Sequence, residues 1–472
     1  MRLSVIKGFS FFIILCFTSI IYSQNSLTVK KGKVIDSLIV PGANTIFSIY
    51  LPKSFDLNKK WPVVFGFDSN GNAGNITRLY KEAAEELGYM VVISDFPEKV
   101  EIKEKAEYVA SFIDHIFSIF PIQKKRVYTT GLGEDANLIS LVSVLINDVA
   151  GTIAVGDTHY YNSSVKIRKN FSYFGVVNVS SHNYKNFLYN KMYLKKQNAF
   201  ADVLDYEGKQ DFPNPNLFKK ILSNFTLQTM SKGVIPKDSI WIQNLFQTEL
   251  KQVEINQNQG NFLLAYEEIK KIKDKYKLFF DTSYLKKKEK QLKQFKGYER
   301  EKKLYVKYDT KEAELRQSYQ LSLAEDVGNE VYENLGWWQH EMSKLDELSR
   351  SKEKYASNMV LRIKGYLKEK VRNYKAVKFA KEDKFEKIMY LNILSTIIDK
   401  KDYESYRTVI SLSAQDQDYE TALFYLEKLL KNGFKDKKNL YNIQGTLGLR
   451  LSKPYNILIE KYLGSSRYLF SD

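Results

Sequence analysis

Cysteine is almost absent from this chain, with one residue, Cys16, in 472. Histidine is nearly as scarce, at four residues: His115, His159, His182 and His340. Cys16 lies inside a segment that reads as an export leader. Arg2 and Lys7 make its start positive, residues 9–22 are nearly all apolar, and Ser23 offers a small residue for cleavage before Gln24. The apolar run is short for a bilayer span, which takes about 20 residues. Leu15 stands before Cys16 where a lipoprotein signal wants a small residue, which argues against a lipid anchor. The processed chain then has no cysteine, so disulfides, thiol catalysis and cysteine-based metal sites are excluded. No later stretch is apolar enough to cross a bilayer, and the expected location is the periplasm or the cell exterior.

Charge is plentiful and uneven. The formal net charge is +17, of which residues 24–235 carry +5 and residues 236–472 carry +10. A basic balance admits nucleic acid, anionic glycan or lipid headgroups as partners. Acidic groups are interleaved throughout and no dense basic block occurs, which favours a solvated lysine-rich surface and no nucleic acid. In the second half Lys and Tyr alternate, as in Tyr298-Glu-Arg-Glu-Lys-Lys-Leu-Tyr-Val-Lys-Tyr308. That pattern suits amphipathic helices with Tyr at the core edge and Lys reaching outward. Stacking on bases or sugars is the other reading.

The chain divides into a leader (1–23), an alternating strand and helix region (24–235) and a helical region (236–472). In the middle region, strands are expected at 33–40 and 45–51, joined by a Pro41-Gly42 turn, and then at 62–67, 90–94, 126–130, 152–155, 173–179 and 201–206. Helices are expected at 76–87, 103–120, 137–146, 184–196 and 216–230. Two leading strands followed by repeated βα units predict an α/β fold with a mainly parallel, doubly wound sheet. Little chain separates 155 from 173, so no lid domain is expected there and any cleft should be open. After about Pro236, long charged helices are expected at 240–275, 284–307, 311–335, 339–377, 385–398, 403–412, 419–431 and 440–451. The segments Gly260-Asn-Phe-Leu-Leu-Ala-Tyr266 and Asp418-Tyr-Glu-Thr-Ala-Leu-Phe-Tyr-Leu-Glu-Lys-Leu-Leu430 place small residues amid aromatics. They resemble halves of tetratricopeptide-like hairpins, although their separation is too long for one period. A helical bundle without repeats is the alternative.

The run Arg126-Val-Tyr-Thr-Thr-Gly-Leu-Gly-Glu-Asp-Ala136 reads as a strand, a sharp turn and a helix start. Together with Ile49-Tyr-Leu-Pro-Lys-Ser-Phe55 and Lys60-Trp-Pro-Val-Val-Phe-Gly-Phe-Asp68, it resembles the α/β-hydrolase family over residues 30–235. The likeness is to small exported esterase or peptidase-like members with a helical extension. In that family the turn is G-x-S-x-G with Ser as nucleophile, and the loop after the 60–68 strand lends an amide to the oxyanion hole. Here the turn reads Gly131, Leu132, Gly133, Glu134, Asp135, so the nucleophile position holds Gly133, which has no oxygen. The resemblance places the acid at Ser181, within Gly175-Val-Val-Asn-Val-Ser-Ser-His-Asn-Tyr184. It places the base at Gln210, within Glu207-Gly-Lys-Gln-Asp-Phe-Pro213, and no histidine stands in that loop. All three members of a Ser–His–Asp mechanism are therefore replaced.

Gly131 and Gly133 suit the strained turn. Asp135 stands in for the second motif glycine, so the helix is expected to sit slightly away from the strand. Glu134 and Asp135 read as helix-start charges.

Ligands of open parallel sheets bind at the carboxyl ends of the strands. Asp68, Glu134, Asp135, Asp157, His159, His182 and Asp211 are expected near that rim. They suit a divalent metal or polar substrate groups, and equally a solvated polar loop. No motif with metal-ligand spacing such as H-E-x-x-H occurs, and neither metal nor cofactor is expected. His115 reads as structural, and His340, beside Trp337 and Trp338, as core or interface.

Three functional expectations follow. The first is a catalytically inactive module that binds a protein or peptide through its helical half and keeps a remnant cleft able to take a small ligand. The second is an active hydrolase with a rebuilt, metal-assisted site built on His182, His159 and the rim carboxylates. The third is an envelope scaffold that holds anionic glycan or lipid.

Overall fold

In the computed structural model, residues 30–40, 45–97, 101–208, 212–329, 332–351, 353–377 and 384–468 are described. The leader, the Pro41-Gly42 turn, Gln210 and Asp211 lie outside the described residues. The first half alternates as expected: β1 (Val34–Ile39), β2 (Ile46–Tyr50), β3 (Trp61–Asp68), α1 (Ala73–Leu87), β4 (Met90–Asp95), α2 (Ile102–Ile119), β5 (Ile122–Leu132) and α3 (Glu134–Leu145). Then come β6 (Val149–Val155), β7 (Ser172–Asn178), α4 (Tyr184–Lys196), β8 (Phe200–Tyr206) and α5 (Pro215–Ser231). The eight strands form one sheet in the order β1-β2-β4-β3-β5-β6-β7-β8. β1 runs antiparallel to β2, and β2 to β4. All other pairs are parallel.

Every residue of β3 and of β4 is buried, which explains why these strands read as continuous apolar runs. One face of the sheet packs Val109, Phe112 and Ile116 of α2, Ile139 of α3 and Phe187 of α4. The other packs Tyr80 of α1 and Phe218, Leu222 and Phe225 of α5. β5 starts four residues earlier than its apolar pattern indicates, because Gln123, Lys124 and Lys125 are partly or fully exposed and mask the strand.

The second half is helical throughout: α6 (Ser239–Asn258), α7 (Phe262–Tyr276), α8 (Leu285–Gln294), α9 (Lys296–Asn329), α10 (Leu335–Ser349), α11 (Lys354–Ala376), α12 (Lys384–Ile398), α13 (Tyr403–Gln415), α14 (Tyr419–Lys431), α15 (Lys437–Leu440), α16 (Leu447–Arg450) and α17 (Lys453–Leu463). The helix expected over 240–275 breaks at Gly260, and the one over 339–377 breaks after Ser349. The start of the helix expected at 311 is instead interior to α9. The 419–431 helix is present as α14, with the Asp418 side chain accepting from the Thr421 amide, but the helix expected over 440–451 to complete its hairpin is replaced by the short α15 and α16, and α14 packs on the preceding α13. Helix lengths run from 4 to 34 residues, an irregular array. Among the described residues no helix is long and apolar enough to cross a membrane.

Candidate functional site: the glycine turn after β5 and the helices beside it

β5 ends in the sharp turn that the motif demands. Gly133 has φ +55° and ψ −134°, a conformation that side chains disfavour, and α3 begins at the next residue. The Gly133 amide donates to the Val155 carbonyl at 2.8 Å, which pins the turn to β6. A Cβ added at Gly133 would meet nothing within 4 Å, so the space where a nucleophile would stand is open. A Cβ at Gly131 would lie 2.8 Å from the Ala136 Cα. The expected stand-off of α3 is therefore wrong: the helix packs tightly on the strand despite Asp135, because the Asp135 side chain turns away from β5.

Asp135 does not serve as a helix cap either. Its carboxylate is buried and accepts from the Ser69 amide at 2.8 Å and the Ser69 hydroxyl at 2.6 Å. Lys105 Nζ stands 3.7 Å from the same carboxylate. Buried Asp68 accepts from the amides of Asn70 and Asn72, both at 2.8 Å. The loop after β3 thus has its Ser69, Asn70 and Asn72 amides turned inward onto two carboxylates. In a hydrolase this loop must aim an amide at a developing oxyanion. A buried carboxylate in that place satisfies the donor and repels a negative intermediate.

The acid position, Ser181, is a turn residue. Its hydroxyl accepts from the Asn183 amide at 3.2 Å and its carbonyl from the Tyr184 amide at 3.0 Å, leading into α4. The base position, Gln210, lies outside the described residues, as does Asp211.

The rim residues are only partly brought together. Asp157, after β6, accepts from the Thr158 amide at 2.7 Å and from Asn183 Nδ2 at 3.0 Å. Burial pushes its carboxyl up to about 6, opposed by hydrogen bonds to Thr158 and Asn137 and reinforced by the charges of Glu369 and Glu134. Burial also lowers the His182 imidazole, with Glu369 raising it and Arg316 and Arg372 lowering it further. Asp157, Glu134 and His182 therefore share one electrostatic neighbourhood with α11. The His159 ring packs edge-on against Tyr161 at 5.3 Å, and its Nε2 is buried with no hydrogen-bond partner among the described residues. Burial lowers its pKa as well. No three His, Cys, Asp or Glu side chains gather as a metal-binding group among the described residues.

The helical half lies against the β7–α4 side of this rim from more than a hundred residues away in sequence, while Gly133 itself stays exposed. A Cβ on Gly365 of α11 would come within 3.1 Å of the His182 Cβ, so the missing side chain lets α11 lie directly on that loop. Arg362 of α11 donates to the Val179 carbonyl at 2.7 Å, and Arg316 of α9 donates to the His182 carbonyl at 3.1 Å. Both arginines converge on Glu312, whose side chain is 0% exposed. Arg372 pairs with Glu134 at 3.0 Å, where both side chains are largely exposed and the tie is weak. Lys185 pairs with Asp309 beside this cluster, and burial brings its ammonium down to about 8. These residues have no sequence signature, since their partners lie 134 and 183 positions away.

A stability test follows from Asp157. Its carboxyl titrates near 6 in the folded chain against an ordinary 3.8. Within that window the folded chain holds a proton that the unfolded chain has lost, so the contribution is present at low pH and is lost as pH rises through about 6. Asp157→Asn keeps the acceptor for Thr158 and Asn183. It should gain about 1–2 kcal/mol over the parent at pH 8 and nothing at pH 4. Denaturant curves at both values measure this, and an equal difference at the two would contradict the assignment.

The strand order and the elbow geometry define the class: a mainly parallel sheet of α/β-hydrolase type with a helical second half. No family model and no curated protein matches the sequence. Solved structures similar to it include a thermostable esterase, at 13% identity and TM-score 0.31, over 41% of this chain and 60% of that one. That share is less than two thirds of the esterase. A feruloyl esterase module from Clostridium thermocellum is 13% identical at TM-score 0.34, over 40% of this chain and 87% of that one. An uncharacterised protein from Capnocytophaga ochracea is 12% identical at TM-score 0.34, over 56% of this chain and 94% of that one.

Proposed function

We propose that this chain is an exported α/β-hydrolase-fold protein without serine-hydrolase catalysis, acting as a binding and interaction module. The observation that carries the reading is the double loss at the elbow. Gly133 keeps the strained backbone with no nucleophile, and Asp135 occupies the amide and hydroxyl of Ser69 where an oxyanion donor belongs. Export is supported by the apolar segment at 9–22 behind Arg2 and Lys7, and by the lack of cysteine after Cys16. The partner assigned to the helical half is a protein or peptide. Its support is that Phe424, Leu447 and Ile457 of the last helices are 53%, 64% and 52% exposed. The purified protein should show no turnover of short-chain p-nitrophenyl esters or aminoacyl substrates and no labelling by a fluorophosphonate probe. Stoichiometric labelling at any serine would overturn the reading.

A second reading keeps activity in a rebuilt site. What favours it is the Asp157 carboxyl near 6 in the same electrostatic field as His182. It requires turnover that falls on His182→Ala or on chelation. Turnover indifferent to both, or no turnover at all, removes it.

A further inference from the structure

A second cavity lies at the other end of the sheet from the elbow. Its volume is about 420 Å³, within the range of small-molecule sites. Lys195, in the last turn of α4, and Phe200, at the start of β8, line it, as do Gln228 and Ser231 at the end of α5. These are the amino ends of the parallel strands, whereas Gly133 follows the carboxyl end of β5. The opposite wall belongs to α6 and α7. The cavity is therefore no remnant of the hydrolase cleft, and it exists only where the two halves of the chain meet.

Its polar lining is out of balance by one charge. Six lysines and five carboxylates face it. Lys191 and Lys271 both approach the same oxygen of Asp202, at 2.8 and 3.0 Å. Lys275 pairs with Glu249 at 2.5 Å and Lys220 with Glu268 at 3.4 Å. Lys195 has no carboxylate within ion-pair distance among the described residues, and it stands exposed at the mouth. Partial desolvation at the mouth and the neighbouring ammoniums of Lys191 and Lys271 lower its pKa, with Asp202 and Asp274 opposing. One further donor is unused: Gln228 Nε2 is buried with no hydrogen-bond partner among the described residues, while Gln228 Oε1 accepts from Ser172. Leu227, Ile272, Leu278 and Phe279 supply an apolar wall.

We propose that this cavity binds a small organic carboxylate, its anionic head at Lys195 and the Gln228 amide and its apolar body against Leu227, Ile272 and Phe279. One surplus cation and one neutral donor match a singly charged carboxylate. A phosphate dianion would leave a charge uncompensated. The apolar wall requires a chain or ring behind the head, and contacts from α4 and α5 on one side and from α7 on the other make the ligand a brace between the halves.

The test is calorimetric titration of the full processed chain with octanoate and phenylbutyrate, with octanamide and inorganic phosphate as controls. Both carboxylates should bind at millimolar concentration or below. Octanamide, isosteric but uncharged, should bind at least about tenfold more weakly. Lys195→Met, at an exposed position, should keep the parent fold by circular dichroism and weaken octanoate by about tenfold or more. Ser231→Trp, which fills the cavity from the end of α5, should abolish binding. The proposal is overturned if octanamide or inorganic phosphate binds as tightly as octanoate. It is equally overturned if either variant binds octanoate like the parent, or if the parent binds neither carboxylate. None of these outcomes depends on whether Gly133 leaves the protein inactive.

Discussion

Glu312→Ala is expected to lower the stability of the whole chain by about 3–5 kcal/mol, because it leaves the buried guanidinium of Arg362 and the largely buried one of Arg316 without their anion. Glu312 Oε1 accepts from Arg316 Nε at 3.0 Å, and Oε2 accepts from Arg362 Nε at 2.8 Å. The terminal nitrogens of both arginines also reach it, at 2.9 and 2.6 Å. Arg362 spends its other terminal nitrogen on the Val179 carbonyl of the β7–α4 loop, and Arg316 Nη2, already at Glu312, also donates to the His182 carbonyl. The carboxylate thus aims both arginines at the loop. Without it they repel each other, and α9 and α11 should part from the sheet. Unfolding by urea, followed by tryptophan fluorescence and by circular dichroism, should become biphasic as well as weaker. Trp338 lies in the helical core and Trp61 in the sheet core, so fluorescence reports both. Replacing the trio Glu312, Arg316 and Arg362 together by apolar residues of similar volume should cost far less than the single change. A loss below about 1 kcal/mol for Glu312→Ala would mean that the cluster is solvated and structurally idle.

Gly133→Ser should not restore an esterase. The new side chain finds room, since nothing lies within 4 Å of the position a Cβ would take. Its backbone, at φ +55°, costs a non-glycine residue about 1–2 kcal/mol. Ester turnover should nonetheless remain roughly a million-fold below that of an intact serine hydrolase, because a serine without its base is as poor as no serine. No histidine stands in the loop between β8 and α5, and His182 is pressed on α11 at Gly365. The Ser69 amide stays on Asp135. Adding Asp135→Gly frees that amide and the Ser69 hydroxyl but still supplies no base. Steady-state assays of both variants with p-nitrophenyl acetate test this. Burst kinetics or fluorophosphonate labelling at position 133 of the single variant would show that a base exists nearby and that the reading of the site is wrong.

Much of the sheet was legible in the sequence because parallel strands buried on both faces are continuous apolar runs. β3 and β4 announce themselves, and α2 shows its buried stripe through Val109, Phe112, Ile113 and Ile116. The elbow was legible because a strained turn between strand and helix limits the residues that can occupy it, and Gly131 and Gly133 are the mark of that limit. The breaks within the long helices were not: the exposed helical surface is so uniformly charged that neither Gly260 nor the end at Ser349 stands out from its flanks. The fate of Asp135 was also hidden, since a carboxylate at a helix start looks the same whether it caps its own helix or reaches across to Ser69.

The amino acids alone decided that position 133 has no side chain to attack a carbonyl, that no thiol follows Cys16, and that helices follow a sheet. Those are properties of single side chains and of local periodicity, which need no knowledge of what lies alongside. Only the folded chain decided that α11 covers the loop at 179–182, that Glu312 draws two arginines onto it, and that Lys195 is left over where the halves meet. Such facts arise from contacts between segments far apart in sequence, and a charge is surplus or satisfied only once its neighbours in space are known.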